Sequence, residues 1–214
     1  MEPYYYQTLS KAEQSSYQAM QAGLQAFAPS FPVPLLENRA LTDVFMKLRL
    51  DCPQLFYAGT FQYRYYPDSR NAELIPAYLF EKGKLKEHQK ALQARVEKLV
   101  RPVAKCGDEE KLLYIHDFIC KNVRYDKLKK QYSHEIIGVL GHGVGVCEGI
   151  AKAVKILCDA LQIQCIIALA ENNPEKGVKY RHAWNVVRLD KKYYHLDCTF
   201  DLSLGNPEEI RSDY

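Results

Sequence analysis

The stretch Gly141-His142-Gly143-Val144-Gly145-Val146-Cys147-Glu148-Gly149-Ile150-Ala151 constrains this chain more than any other. Glycine at alternate positions makes a turn. Behind it, Cys147, Ile150, Ala151, Val154, Leu157, Cys158 and Leu161 recur in steps of three and four, one continuous helical stripe, with Lys152, Lys155 and Asp159 off it. Three short segments follow, at about 163–170, 181–189 and 192–198, and read as strands. Asp190, Lys191 and Lys192 make a tight turn between the last two, so the sheet is antiparallel. A helix packed by its stripe on such a sheet is an α+β arrangement.

Cys147 stands at the inward face of that helix's first turn. Free backbone N–H groups and a partial positive charge gather there, and both favour a thiolate over a thiol. The glycines keep the approach to sulfur open. The first-turn N–H groups, including that of Cys147, can form part of an oxyanion hole. The other six cysteines show no such context and read as reduced thiols, most of them buried as small apolar residues.

Two later residues suit the same chemistry. His182 opens the second strand, on one face with Trp184 and Val186. Asp197 sits in Tyr193-Tyr194-His195-Leu196-Asp197-Cys198, a strand poor in charge, where a carboxylate is costly unless hydrogen-bonded. The turn near 190 sets residues 182 and 197 opposite or diagonal across the hairpin. An imidazole N–H is then the partner of the carboxylate: Asp197 would fix the His182 tautomer and stabilise its cation.

The rest of the chain reads as scaffold. Ser10 and Glu13 form a capping-box pattern ahead of a stripe of Tyr17, Met20, Leu24 and Phe27, which Pro29, Pro32 and Pro34 break. A second helix is predicted over 37–49, ended by Pro53. A strand over 55–66 is predicted to pair with 73–80 as a hairpin, Pro76 confining the second strand to an edge or bulge. A long helix follows at 84–103, then one at 109–123 capped by Asp108. The expected division is a helical and hairpin extension, 1–105, and a catalytic core, 106–214.

Composition closes off other classes. Among 214 residues, 29 basic and 26 acidic side chains leave a net charge of +3, too balanced for a nucleic-acid binder. Lys127-Leu128-Lys129-Lys130, the densest basic run, reads as a solvated loop. Seven cysteines without a C-x-x-C pair speak against zinc fingers and for a reducing compartment. A zinc site from Cys147, His182, His195 and Cys198 has the wrong spacing, and neither cofactor nor metal is expected. No apolar run reaches a membrane span. No signal peptide opens the sequence, so a cytoplasmic location is expected, or an extracellular or cell-envelope one if a leader has been removed.

Together, Gly-Val-Cys147-Glu-Gly-Ile-Ala, His182-Ala-Trp-Asn-Val-Val and His-Leu-Asp197-Cys-Thr-Phe-Asp resemble the transglutaminase-like superfamily of cysteine enzymes. The likeness runs over about 112–201 and takes in Ile115-His116-Asp117 and Tyr125-Asp126. It implies a papain-like core with Cys147 as nucleophile, His182 as base and acid, and Asp197 as orienter. The first region is similar to N-terminal extensions of bacterial members, and the core of such proteins usually continues a strand or two past Asp201. His142, Tyr125 and Trp184 are candidates to complete the oxyanion hole, and His195 is a candidate supporting residue.

The expected activity is acyl transfer from an amide of a protein or peptide through a thioester. No acidic calcium loop is visible, which favours peptidase or amidase hydrolysis over transfer to an amine. Protein cross-linking, deglycosylating amidase action, and a non-catalytic binding module that retains the triad are the other readings.

Overall fold

The structure, a computed structural model, describes residues 3–170 and 181–204, with side chains up to 202. Any continuation of the core past residue 204 lies outside the described residues. The chain divides into two compact units, 2–89 and 90–214.

In the first unit, α1 (Tyr4–Gln7) precedes α2 (Lys11–Gln25), which opens on the capping box: the Glu13 N–H donates to Ser10 Oγ and the Ser10 N–H to Glu13 Oε2. Tyr17, Met20 and Leu24 of α2 are buried, as are Leu41, Val44 and Leu48 of α3 (Asn38–Asp51). Phe27 does not continue the α2 stripe. It turns into the left-handed region, with φ of 52°, and stacks on Tyr78.

Three antiparallel strands complete this unit, in the order β1 (Phe31–Pro34), β3 (Asn71–Tyr78), β2 (Ala58–Tyr65). The prolines at 32 and 34 lie in an edge strand, which sequence patterning misses because they read as breakers. The strand carrying Pro76 is central rather than an edge. Proline is tolerated because β1 pairs only with residues 71–74, so Pro76 faces β2 alone.

The division falls inside α4 (Lys82–Val100). The second unit continues with α5 (Asp108–Asn122), whose N-cap is Gly107 and not Asp108; Asp108 lies in the first turn and pairs with Lys111 at 2.8 Å. Two short parallel strands, β4 (Arg124–Tyr125) and β5 (Val144–Gly145), bracket the loop before α6 (Cys147–Ala160). Antiparallel strands follow in the order β6 (Cys165–Ala170), β7 (His182–Leu189), β8 (Lys192–Leu196). Asp190 and Lys191 both have positive φ, 46° and 66°, as a two-residue hairpin turn requires.

Helix α6 packs on this sheet, so the fold is α+β with the helix of Cys147 against an antiparallel sheet. Ile150, Val154 and Leu157 are at most 2% exposed, each burial contributing roughly 1.5–3 kcal/mol. Asn185 Nδ2 donates to the Ala151 carbonyl at 3.0 Å and fastens β7 to the helix. Lys152 and Lys155, off the apolar stripe, are also buried. Partners from other segments make that possible: Glu135 for Lys152, and the Cys165 carbonyl for Lys155.

The last strand ends at Leu196, two residues short of the expected limit. A helix, α7 (Cys198–Leu204), replaces its end. Asp197 caps it, accepting the Phe200 N–H on Oδ1 at 3.1 Å. Tyr-Tyr-His-Leu ahead of it has strand propensity, and that composition hides the cap.

Candidate active site

Cys147 is the first residue of α6 and is half-buried. A strap formed by residues 126–135 holds this helix start. The Val146 N–H donates to the Ser133 carbonyl at 3.0 Å. A Cβ on Gly149 would run into that same carbonyl oxygen, so glycine is required for the close approach. Gly143 has φ of +65°, the left-handed turn that lets β5 begin. Asp126 stabilises the strap from within, its carboxylate accepting from the Leu128 and Lys130 N–H groups and the Ser133 hydroxyl. Those bonds, that of Ser133 foremost, hold the Asp126 carboxyl below the usual range.

Side chains tie the strap to α6 as well. Lys152, fully buried, donates to Glu135 Oε1 at 3.0 Å and to the His134 carbonyl at 3.1 Å, and pairs with Glu148 Oε1 at 2.7 Å. The other oxygen of Glu148 meets His134 Nδ1 at 3.2 Å. Sequence reading missed this network because its acids and bases come from separate segments. Its one legible signal is the four-residue step from Glu148 to Lys152.

His182 and Asp197 meet across the end of the hairpin. Asn185 faces Leu196 in the ladder, so Asp197 lies past the last paired residue and reaches His182 on the diagonal. Nε2 of His182 is 2.6 Å from Asp197 Oδ2. The two carboxylate oxygens thus serve the imidazole and the α7 cap separately. Trp184 stacks on His182, with centroids 5.7 Å apart and planes at 16°, and donates its indole N–H to His195 Nδ1 at 2.7 Å. That donor is therefore committed to His195.

Tyr125 lies beside Cys147: β4 pairs Tyr125 with Gly145, two residues ahead of the thiol. Burial raises the Tyr125 phenol, and the neighbouring Cys147 charge raises it further. His142 is exposed and tilted against Tyr132 at 5.2 Å. The structure thus brings His182 to Asp197, Trp184 to both His182 and His195, and Tyr125 to Cys147. The α6 and β7 elements carrying Cys147 and His182 pack together, and among the described residues no hydrogen bond joins thiol to ring.

A second group of residues also escaped sequence reading. His116 Nε2 of α5 lies 2.8 Å from Asp201 Oδ2 of α7 and 3.6 Å from Cys120 Sγ. Cys120 and Cys198 therefore do have a chemical context, contrary to expectation. Hydrogen bonds from Cys198 and then His116 bring the Cys120 thiol down to about 6, and the bond to Cys120 leads the effects that raise His116 to about 9. His116 and Cys120, four apart on one helix, were the available signal.

The transglutaminase-like superfamily model matches residues 93–198. Through that region the chain is a member of the transglutaminase-like superfamily, a group of cysteine enzymes. Comparison with the curated proteins finds no match. Among solved structures the chain is similar to a TGase, at 12% identity and a TM-score of 0.46, covering 86% of this chain and 54% of that one. It is also similar to a candidate cysteine protease from Cytophaga hutchinsonii, at 15% identity and a TM-score of 0.40, covering 65% and 61%. The chain thus spans somewhat over half the length of each. Among the described residues no helix is long and apolar enough to cross a membrane.

Proposed function

We propose that this protein is a cysteine acyl-transfer enzyme acting on an amide of a protein or peptide, with Cys147 as nucleophile, His182 as general base and acid, and Asp197 as orienter. The observation that carries the proposal is the 2.6 Å bond between His182 Nε2 and Asp197 Oδ2. It engages Nε2 and leaves Nδ1 as the nitrogen that exchanges protons with the thiol.

The steps follow from these positions. Nδ1 takes the thiol proton, and the thiolate sulfur adds to the amide carbonyl carbon, forming the C–S bond. The negative oxygen is met by first-turn N–H groups of α6 and by the Tyr125 hydroxyl, which has no hydrogen-bond partner among the described residues, whereas the Trp184 N–H is committed to His195. Collapse breaks the C–N bond, and the imidazolium gives its proton to the departing amine. A water then loses a proton to Nδ1 and adds to the thioester, and the C–S bond breaks to return the thiolate. An amine in place of water gives transamidation. We favour hydrolysis, because no acidic calcium loop is present in the sequence.

p-Nitrophenyl acetate tests the proposal. The expected result is a burst of nitrophenol equal to the enzyme present, with an acetyl group on Cys147 by peptide mass mapping. Cys147→Ser and His182→Ala should abolish the burst. Adding a primary amine then separates the two fates: hydrolysis leaves the turnover product as acetate, and transamidation diverts it to the amide. Acetylation spread over other residues, unaffected by either substitution, would contradict the proposal.

A further inference from the structure

His116 and Cys120 lie one turn apart on α5, and Cys198 and Asp201 one turn apart on α7. The two helices pack against each other, which brings Cys198 to the first pair and Asp201 to His116. His116 Nε2, Cys120 Sγ and Cys198 Sγ all lie within 4.8 Å of one another. His116 is 4% exposed and Cys198 2%. Asp201 places Oδ2 at 2.8 Å from His116 Nε2, while its Oδ1 is buried with no hydrogen-bond partner among the described residues.

Hydrogen bonding alone accounts poorly for this cluster. Nε2 carries at most one hydrogen, yet it faces both a thiol and a carboxylate. A buried carboxylate oxygen with no donor is costly. A cation held by the imidazole and the two thiolates, beside that carboxylate, relieves both. With metal–nitrogen distances near 2.0–2.1 Å and metal–sulfur near 2.3 Å, tetrahedral zinc sets its nitrogen and sulfur ligands about 3.5 Å apart and two sulfurs about 3.8 Å apart. The His116–Cys120 separation is 3.6 Å. The remaining ring nitrogen, Nδ1, faces Asp117 Oδ1 at 3.5 Å, the carboxylate support that ligating histidines use.

We propose that His116 Nε2, Cys120 Sγ and Cys198 Sγ form a binding site for one borderline-soft divalent cation, zinc foremost, with the Asp201 carboxylate beside them. Two thiolates and an imidazole this deeply placed, with a carboxylate next to the fourth position, suit an ion that holds structure. Binding releases the thiol protons and any proton on Nε2 to solvent. Cys198 directly follows Asp197, so the ion holds the first turn of α7 and, through it, the carboxylate that faces His182.

Cobalt(II) titration of the full chain, purified reduced and stripped with chelator, tests the site. The expected result is one cobalt per chain, with a thiolate-to-cobalt charge-transfer band, strong visible bands of tetrahedral cobalt, and displacement of both by zinc. Cys120→Ser and Cys198→Ser should each lose the charge-transfer intensity, and Cys106→Ser and Cys147→Ser should keep it. Zinc should raise the melting temperature of the wild type and not that of Cys198→Ser. The wild-type spectrum decides thiolate ligation even if a variant fails to fold. A weak octahedral spectrum without charge transfer would overturn the proposal. So would loss of the signal in Cys147→Ser, or a Cys120–Cys198 disulfide in freshly isolated chain that binds no cobalt after reduction. The readouts do not use the Cys147 reaction, so their failure leaves the acyl-transfer reading separate.

Discussion

At the scale of single residues, position matters more than identity. Cys147 is one thiol of seven, set apart because a strap and a glycine fix the turn beneath it. Replacing Gly149 by Ala forces a Cβ against the Ser133 carbonyl, and overpacking of this kind costs about 2 kcal/mol. Urea denaturation should show that loss, with slower alkylation of Cys147 as the helix start shifts. Asp197 has two tasks, and two substitutions separate them. Asp197→Ala should lower stability by about 1 kcal/mol through the lost cap, whereas Asp197→Asn should retain most of that, because an amide oxygen still accepts the Phe200 N–H. The helix start at Cys147 was legible from its glycine turn and stripe. The cap at Asp197 was not, because a strand-like run conceals it.

Among the elements, α6 departs furthest from its pattern. Its period of three and four was readable and so was the sheet it meets. Its buried lysines were not, since a polar residue off the stripe reads as solvated unless its counter-ion is known to arrive from elsewhere. Lys152→Ala takes the buried cation away from Glu135 and Glu148 and should cost roughly 3–5 kcal/mol by denaturant unfolding. Lys152→Met combined with Glu135→Gln should cost less than Lys152→Ala alone, because the buried carboxylate is then neutralised. β1 was hidden for a different reason: its prolines are compatible with a strand only at an edge, and edges are a property of the sheet, not of the segment.

For the whole molecule, the helix followed by an antiparallel sheet was legible, because short-range periodicity encodes it. The clusters that join distant segments were not. Asp126 shows how such a segment sets a global property. Its folded carboxyl lies below its unfolded value, so its contribution is fully present above the unfolded value and fades as pH falls through the folded one. Melting temperature should therefore drop from neutral pH towards about pH 3, and Asp126→Asn should flatten that limb while starting lower.

The central claim is that His182 activates Cys147, and the rate of Cys147 alkylation by iodoacetamide in a mildly acidic buffer measures this most directly. Cys147 should react far faster than a free thiol, and His182→Ala should bring its rate down to that of a free thiol. Equal, slow alkylation of Cys147 in wild type and His182→Ala would contradict the account.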